Sequence, residues 1–163
     1  MELSADLPSE LVPLAWLIGR WEGAGVLGYP TIESINFGQE IEFSHVGKPF
    51  LTYTSQTWLL AEDGTRVRPL AAEAGYWRPR PEGQLEVTLA HPTGVVEIWV
   101  GTAGGGKIEL QTDVVARTES AKEYTAGHRL YGLVDGDLFW AFDMAAMGLP
   151  LQSHASGRLK RVA

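Results

Sequence analysis

A chain of 163 residues is the size of one domain, and folding at that size hides roughly 70% of the surface the unfolded chain exposes, so no staples are required. It has no cysteine, which excludes disulfides, thiolate metal ligation and cysteine nucleophiles and leaves His, Met, Tyr and carboxylates as metal ligands. A formal net charge of −7 and a pI near 5.0 repel phosphate backbones, and the one basic run, Arg158-Leu159-Lys160-Arg161, is short, so nucleic acid is not an expected partner.

In chain order, Met1-Glu2-Leu3-Ser4-Ala5-Asp6 carries acids where a signal peptide needs a basic region. No apolar run approaches the ~20 residues that cross a bilayer. A soluble cytoplasmic protein without a membrane partner is the expectation. Residues 1–9 are polar, contain Pro8 and lack a period, so they read as a loose lead-in, poorly ordered at its start; the domain boundary is set at residues 1–12 for this lead-in and 13–163 for one globular domain. Ser9 is placed to cap a short helical turn. Leu11, Leu14, Trp16, Leu17 and Ile18 are too dense for a solvated loop, Gly19 stops the segment, and a plug at one end of a barrel would use it well.

From Trp21 onward the apolar residues recur at every second position in short runs separated by Gly, Pro and Asp, which is the period of strands. Ile41, Phe43 and His45 alternate with Glu40, Glu42 and Ser44; Leu85, Val87, Leu89 and His91 alternate with Glu86, Thr88 and Ala90. Further runs cover 50–58, 75–78, 95–100, 108–116, 122–131, 138–145 and 153–162. Hairpin signals stand at Glu62-Asp63-Gly64, Pro81-Glu82-Gly83, Gly104-Gly105-Gly106 and Asp135-Gly136-Asp137. With the Trp21 and Glu40 runs, the count is about ten antiparallel strands. Tight hairpins in a meander favour an all-β barrel of the lipocalin or fatty-acid-binding type, because closure removes exposed edges, although the pattern alone leaves a sandwich open.

The histidines divide by parity. His45 and His91 share faces with large apolar residues and read as interior. His128, in Gly127-His128-Arg129, reads as a surface residue, and His154 has polar strand-mates, Gln152, Ser156, Arg158 and Lys160, that read as solvent-facing. Gly104-Gly105-Gly106-Lys107 lacks the strand and helix of a phosphate loop, and Asp135-Gly136-Asp137 is a turn without further calcium ligands. No Ser-His-Asp arrangement can be assigned from spacing.

The first strand opens with Gly19-Arg20-Trp21-Glu22-Gly23-Ala24-Gly25, of the form G-x-W-x-G-x-G. After it come Tyr29-Pro30-Thr31-Ile32, Ser44-His45-Val46-Gly47-Lys48-Pro49-Phe50, Gly75-Tyr76-Trp77-Arg78-Pro79-Arg80-Pro81, His91-Pro92-Thr93-Gly94-Val95-Val96-Glu97 and Leu149-Pro150-Leu151-Gln152-Ser153-His154. In this order, from roughly Pro13 to Val162, the chain resembles the nitrobindin family. The shorter G-x-W also occurs in lipocalin-like carriers, and for Trp21 and its glycines the plain reading is a closed barrel floor on a strand that bends.

The resemblance implies a ten-stranded barrel, one noncovalent b-type haem per chain, His154 as its axial ligand, and isomerisation of peroxynitrite to nitrate together with binding of nitric oxide. It also implies that Thr31 and Lys122 contact the haem, and it implies a homodimer. A haem cleft open to water tolerates a polar inward face, and Pro150 can shift the register ahead of His154, so resemblance overrides parity there. Met144, on a face with Leu138, Trp140 and Phe142, is placed against the macrocycle. Relatives carry a P-[LM]-H-x-E stretch where this chain reads Pro69-Leu70-Ala71-Ala72-Glu73. With Ala71 in place of histidine, the expected distal side is apolar, lined by Leu70, Met144 and the His91 strand. Two rivals stand beside this reading: a carrier of a hydrophobic molecule, which needs no histidine at 154, and a nitric oxide sensor or store that turns nothing over.

Overall fold

The computed structural model describes residues 6–163; the start of the expected lead-in, residues 1–5, lies outside the described residues. Ten strands follow a 3-10 helix at Ser9–Leu17: β1 Gly19–Tyr29, β2 Ile32–Ser44, β3 Leu51–Leu60, β4 Arg66–Arg80, β5 Gln84–His91, β6 Val95–Gly104, β7 Lys107–Arg117, β8 Tyr124–Val134, β9 Asp137–Ala146 and β10 Gln152–Arg161. Each strand pairs with its neighbours in the chain, and β1 closes on β10, so the sheet is a closed antiparallel barrel. That closure decides between the barrel and the sandwich.

One end of the barrel is plugged as the apolar density of the N-terminal segment suggested. Leu11, Leu14 and Leu17 are fully buried beside Trp21, each stabilising by about 1.5–3 kcal/mol through burial. The Trp21 indole N–H donates to the Leu17 carbonyl at 2.8 Å, and the Arg161 guanidinium lies over its ring, 4.3 Å from the centroid. One local reading is corrected here, and two are given a backbone reason. Ser9 does not cap the helix: Pro8 holds the cap position and no side chain bonds there. Gly19 is the first residue of β1, at φ +133°, a conformation that side chains other than glycine's resist. The motif glycines serve close approach, since a Cβ on Gly23 would lie 2.0 Å from the Arg158 carbonyl of β10 and one on Gly25 2.1 Å from that of Ser156.

Several strands extend beyond their periodic runs. β4 reaches back to Arg66, although the alternation is legible only around 75–78. Its register against β3 jumps from Gln56–Ala72 to Trp58–Pro69, and this bulge at Leu70 and Ala71, beside a proline, erases the period. The Thr57 hydroxyl bridges the irregularity, accepting from the Ala71 N–H at 3.1 Å. β8 starts at Tyr124, which leaves Lys122 in the preceding loop rather than on the strand expected at 122–131. β2 ends at Ser44, so His45 does not continue its inward face; its Nδ1 accepts the Gly47 N–H at 3.1 Å in an exposed turn. The hairpin signals mark turns: Asp135 and Gly136, and Gly105 and Gly106, all have positive φ. No helix among the described residues is long and apolar enough to cross a membrane.

Candidate functional site

His154 faces the interior because of a fault in the ladder. β10 pairs with β9 at Ser153–Asp143 and again at Ala155–Phe142, so two residues of β10 oppose one of β9 and His154 is the extra one. A bulge turns neighbouring side chains to the same side of the sheet, and His154, Ala155 and Phe142 all line one cavity. The register change sits at His154 itself rather than just ahead of it, where Pro150 pointed. Around the ring, Phe142 packs edge-on at 5.5 Å and Tyr29 at 5.8 Å between centroids.

The chemistry of the imidazole follows from its partner. Nδ1 lies 3.0 Å from the Gly28 carbonyl oxygen, which can only accept, so Nδ1 carries the proton and the Nε2 lone pair is left to donate elsewhere. Burial pushes the pKa of His154 below its usual 6.5, and the Arg129 charge adds to this against the opposing pull of the Gly28 bond. A neutral imidazole with a fixed tautomer, its other nitrogen held by a carbonyl, is the donor a haem iron or transition metal requires.

Two cavities meet at this residue. One, of about 200 Å³, runs inward past Phe37, Trp140 and Ala71. The other, of about 530 Å³, opens outward past Val95, Tyr124, Phe142 and Met144 to Lys122. His91, Phe142 and His154 line both. The outer cavity lies where the barrel wall is thin: β7 and β8 pair only from Lys107–Gly132 to Gln111–His128, and the Thr112 hydroxyl, accepting the Gly127 N–H at 3.1 Å, spans the start of the gap. Its walls suit a flat apolar group with acidic substituents: aromatic and thioether surface inside, and the exposed Lys122 ammonium at the mouth for a carboxylate. The residues present therefore fit a haem.

Of the residues singled out in the sequence, His154, Met144, Lys122 and His91 are brought together at these cavities. Leu70 is not among the lining residues, because the β4 bulge presents Ala71 and Ala72 instead. Thr31 is exposed in the turn between β1 and β2, two residues beyond Tyr29. His128 is a surface residue as expected, paired with Glu109 at 3.0 Å.

The wall beside Ala71 is polar, which overturns the expectation of an apolar side. Arg129 makes two hydrogen bonds to Glu73, at 2.7 and 2.9 Å, and a third to the Tyr131 hydroxyl at 3.1 Å. The Tyr53 hydroxyl donates to Glu73 at 2.6 Å. His91 Nε2 is bonded to Glu97, whose other oxygen accepts from the Tyr124 hydroxyl at 2.5 Å, while His91 Nδ1 is 3.6 Å from Glu73. Burial alone would raise the carboxyl pKa of Glu73; the Arg129 charge and hydrogen bonds outweigh it, aided by His91 and Tyr53, and bring it to about 2. The Arg129 guanidinium also lies 4.7 Å from the Phe142 ring and 4.9 Å from that of Trp99. Sequence reasoning missed this network, yet a signal was there: Glu73 has the parity of the buried Trp77, Glu97 that of Val95 and Trp99, and Arg129 that of Tyr131. Opposite charges at inward positions of two strands predict a buried pair.

Residues 10–161 match the family described as "THAP4-like, heme-binding beta-barrel domain". A protein of Kineococcus radiotolerans named ferric nitrobindin-like protein is 58% identical, covering 99% of this chain and 98% of its own. A protein of Nocardioides sp. named peroxynitrite isomerase is 54% identical, covering 98% of each. The crystal structure of Rv2717c from M. tuberculosis superposes with a TM-score of 0.87 at 41% identity, covering 96% of this chain and 99% of that one.

Proposed function

The chain belongs to the THAP4-like, heme-binding beta-barrel family, and we propose that it binds one b-type haem through His154 Nε2 and isomerises peroxynitrite to nitrate at that haem. The observation that carries the assignment of the ligand is the His154 ring itself: its proton is held on Nδ1 by Gly28 and its free nitrogen belongs to a side chain that lines both cavities. When bound, the haem supplies the iron-centred Lewis-acid and redox chemistry of the rearrangement; the protein supplies the donor and the pocket.

Each contribution of the chain is local. Burial, with a smaller contribution from the Arg129 charge, holds the His154 pKa below its usual 6.5, so that its lone pair is available near neutral pH. Phe142, Met144 and Val95 provide apolar wall that excludes water, and Lys122 offers a cation for a propionate. Thr31, on the hairpin tip beyond Tyr29, is assigned to the haem edge at the solvent side. His91 stands between the two cavities with its nitrogens directed at Glu97 and Glu73, and its role is to hold the ligand-side wall rather than to bind iron. The same site binds nitric oxide in this reading. The unit that acts is the barrel with its N-terminal plug, from Ser9 onward rather than the 13–163 expected, because Leu11 is part of the core; it acts in the cytoplasm and as a homodimer, the latter checked by size-exclusion chromatography with light scattering.

Haemin titration tests the proposal. The expected result is a Soret band saturating near one haemin per chain, lost or blue-shifted in His154→Ala and retained in His45→Ala and His91→Ala, with rapid loss of peroxynitrite in stopped-flow mixing for the loaded wild type only. Retention of the ligated spectrum in His154→Ala would overturn the ligand assignment; absence of a saturable band would revive the carrier reading.

A further inference from the structure

We propose that Tyr29 is the positioning residue that aims His154, acting as a pin across two irregularities that face each other at the open end of the barrel. This rests on the reading of His154 as the haem ligand. The β1–β10 ladder ends at the pair Leu27–Ala155. Beyond it, the next residue of each strand is irregular: Gly28 lies where the β1–β2 register slips between Leu27–Ile35 and Tyr29–Ile32, and His154 is the bulged residue of β10. At this irregularity the Gly28 carbonyl accepts the His154 ring N–H.

An acceptor in an irregular stretch orients a ring only if it is itself held. Gly28 has no side chain to hold it, and its neighbour does the holding. The Tyr29 hydroxyl donates to the Met144 carbonyl at 3.0 Å and accepts the Ala146 N–H at 3.0 Å. It thereby ties the end of β1 to the end of β9, across the His154 bulge, and its ring, only 7% exposed, packs edge-on against the imidazole. Three neighbours of the imidazole thus derive from one tie: the carbonyl that fixes the tautomer, the ring that limits rotation, and the position of Met144. Outer partners of a metal-bound histidine influence affinity by roughly 10–100-fold when removed; Tyr29 acts one step further out, through Gly28.

The test is Tyr29→Phe, which deletes one oxygen atom and keeps the ring. Trp21→Phe is the control, because it also removes one buried hydrogen bond but at the plugged end of the barrel. In haem-free protein, long-range ¹H–¹⁵N spectra of the imidazole are expected to show a single Nδ1–H tautomer for His154 in the wild type and in Trp21→Phe, and a mixture in Tyr29→Phe. In haem-loaded ferrous protein, the iron–histidine stretching band is expected to shift and haem to dissociate about 10-fold faster in Tyr29→Phe alone. If Tyr29→Phe matches Trp21→Phe in both tautomer and haem dissociation, the pin is refuted. If the tautomer changes while His154→Ala keeps a ligated spectrum, the pin stands and the ligand assignment falls, so the two failures are told apart.

Discussion

Replacing Glu73 with glutamine removes one charge from the buried wall and leaves its partner in place. Arg129, 7% exposed on its side chain, then keeps at most one of its two hydrogen bonds to residue 73, now to a neutral amide oxygen, and meets an NH2 donor where the second carboxylate oxygen stood. Breaking a buried pair from one side costs about 3–5 kcal/mol, because the remaining charge is uncompensated. The pH dependence gives an independent figure. The folded carboxyl pKa, about 2, lies below its ordinary 4.5, so the stabilisation is fully present above 4.5 and is lost as pH falls toward 2; a displacement of that size corresponds to about 3 kcal/mol. Urea unfolding at pH 7 is expected to place Glu73→Gln about 3–5 kcal/mol below the wild type, or on the order of 10 °C in Tm for a domain of this size. The gap should close as both are titrated from pH 4.5 to pH 2. Adding Arg129→Met should recover part of the loss, since removing the second charge as well leaves no orphan charge in the wall. A loss below about 1 kcal/mol at pH 7, with a gap that does not change between pH 4.5 and 2, would refute the reasoning.

Other consequences are smaller in scope. Ala71→His introduces an imidazole into a cavity that His154 also lines; in haem-loaded protein the stretching frequency of bound carbon monoxide and the rate of peroxynitrite loss are expected to change, because a hydrogen bond to a partly charged ligand contributes on the order of 1 kcal/mol or more. Gly157→Ala would place a Cβ 2.6 Å from the Trp140 indole nitrogen, which donates to Gln39 at 2.8 Å; a stability loss of about 1–3 kcal/mol and a shifted tryptophan emission are expected. Titration of His154 in haem-free protein by NMR should give a midpoint below 6.5. Haem should accordingly be retained into mildly acidic solution and released only when protons compete for Nε2 below that value.

The strands that alternated cleanly were legible, and β5 is the clearest case: Leu85, Val87 and Leu89 are buried and the residues between them exposed. The plug was legible for a different reason: residues 11–18 carry no charge and are densely apolar, and burial against the barrel is what such density favours. What stayed hidden was wherever the backbone leaves the ladder. His154 read as exposed because parity assumes an unbroken strand, and one inserted residue inverts it. Leu70 was assigned to the cavity through a register that the β4 bulge displaces, and His45 was carried inward by an alternation that continues in the sequence after the strand has stopped.

These faults lie beside the cavities, and they have a common physical basis. A regular barrel of ten strands directs alternate side chains inward and satisfies each backbone group on a neighbour, which leaves no carbonyl to orient a ring and no wall open to a large planar group. The slip at Gly28 and the bulge at His154 release a carbonyl and turn an imidazole toward it, while the short β7–β8 ladder leaves an opening. The charged wall of Glu73, Arg129, His91 and Glu97 then has a structural purpose besides its chemistry: it ties β4, β5, β6 and β8 to one another through the interior, where the ladder around the opening is incomplete. If that account is right, amide exchange in Glu73→Gln should accelerate first in β8 from Tyr124 to Gly127 and in the second half of β7, the segments with a ladder on one side only, while the β1–β2 and β2–β3 amides keep wild-type protection relative to global stability. Uniform acceleration across the barrel would mean that the buried pair stabilises the fold as a whole and has no special relation to the opening.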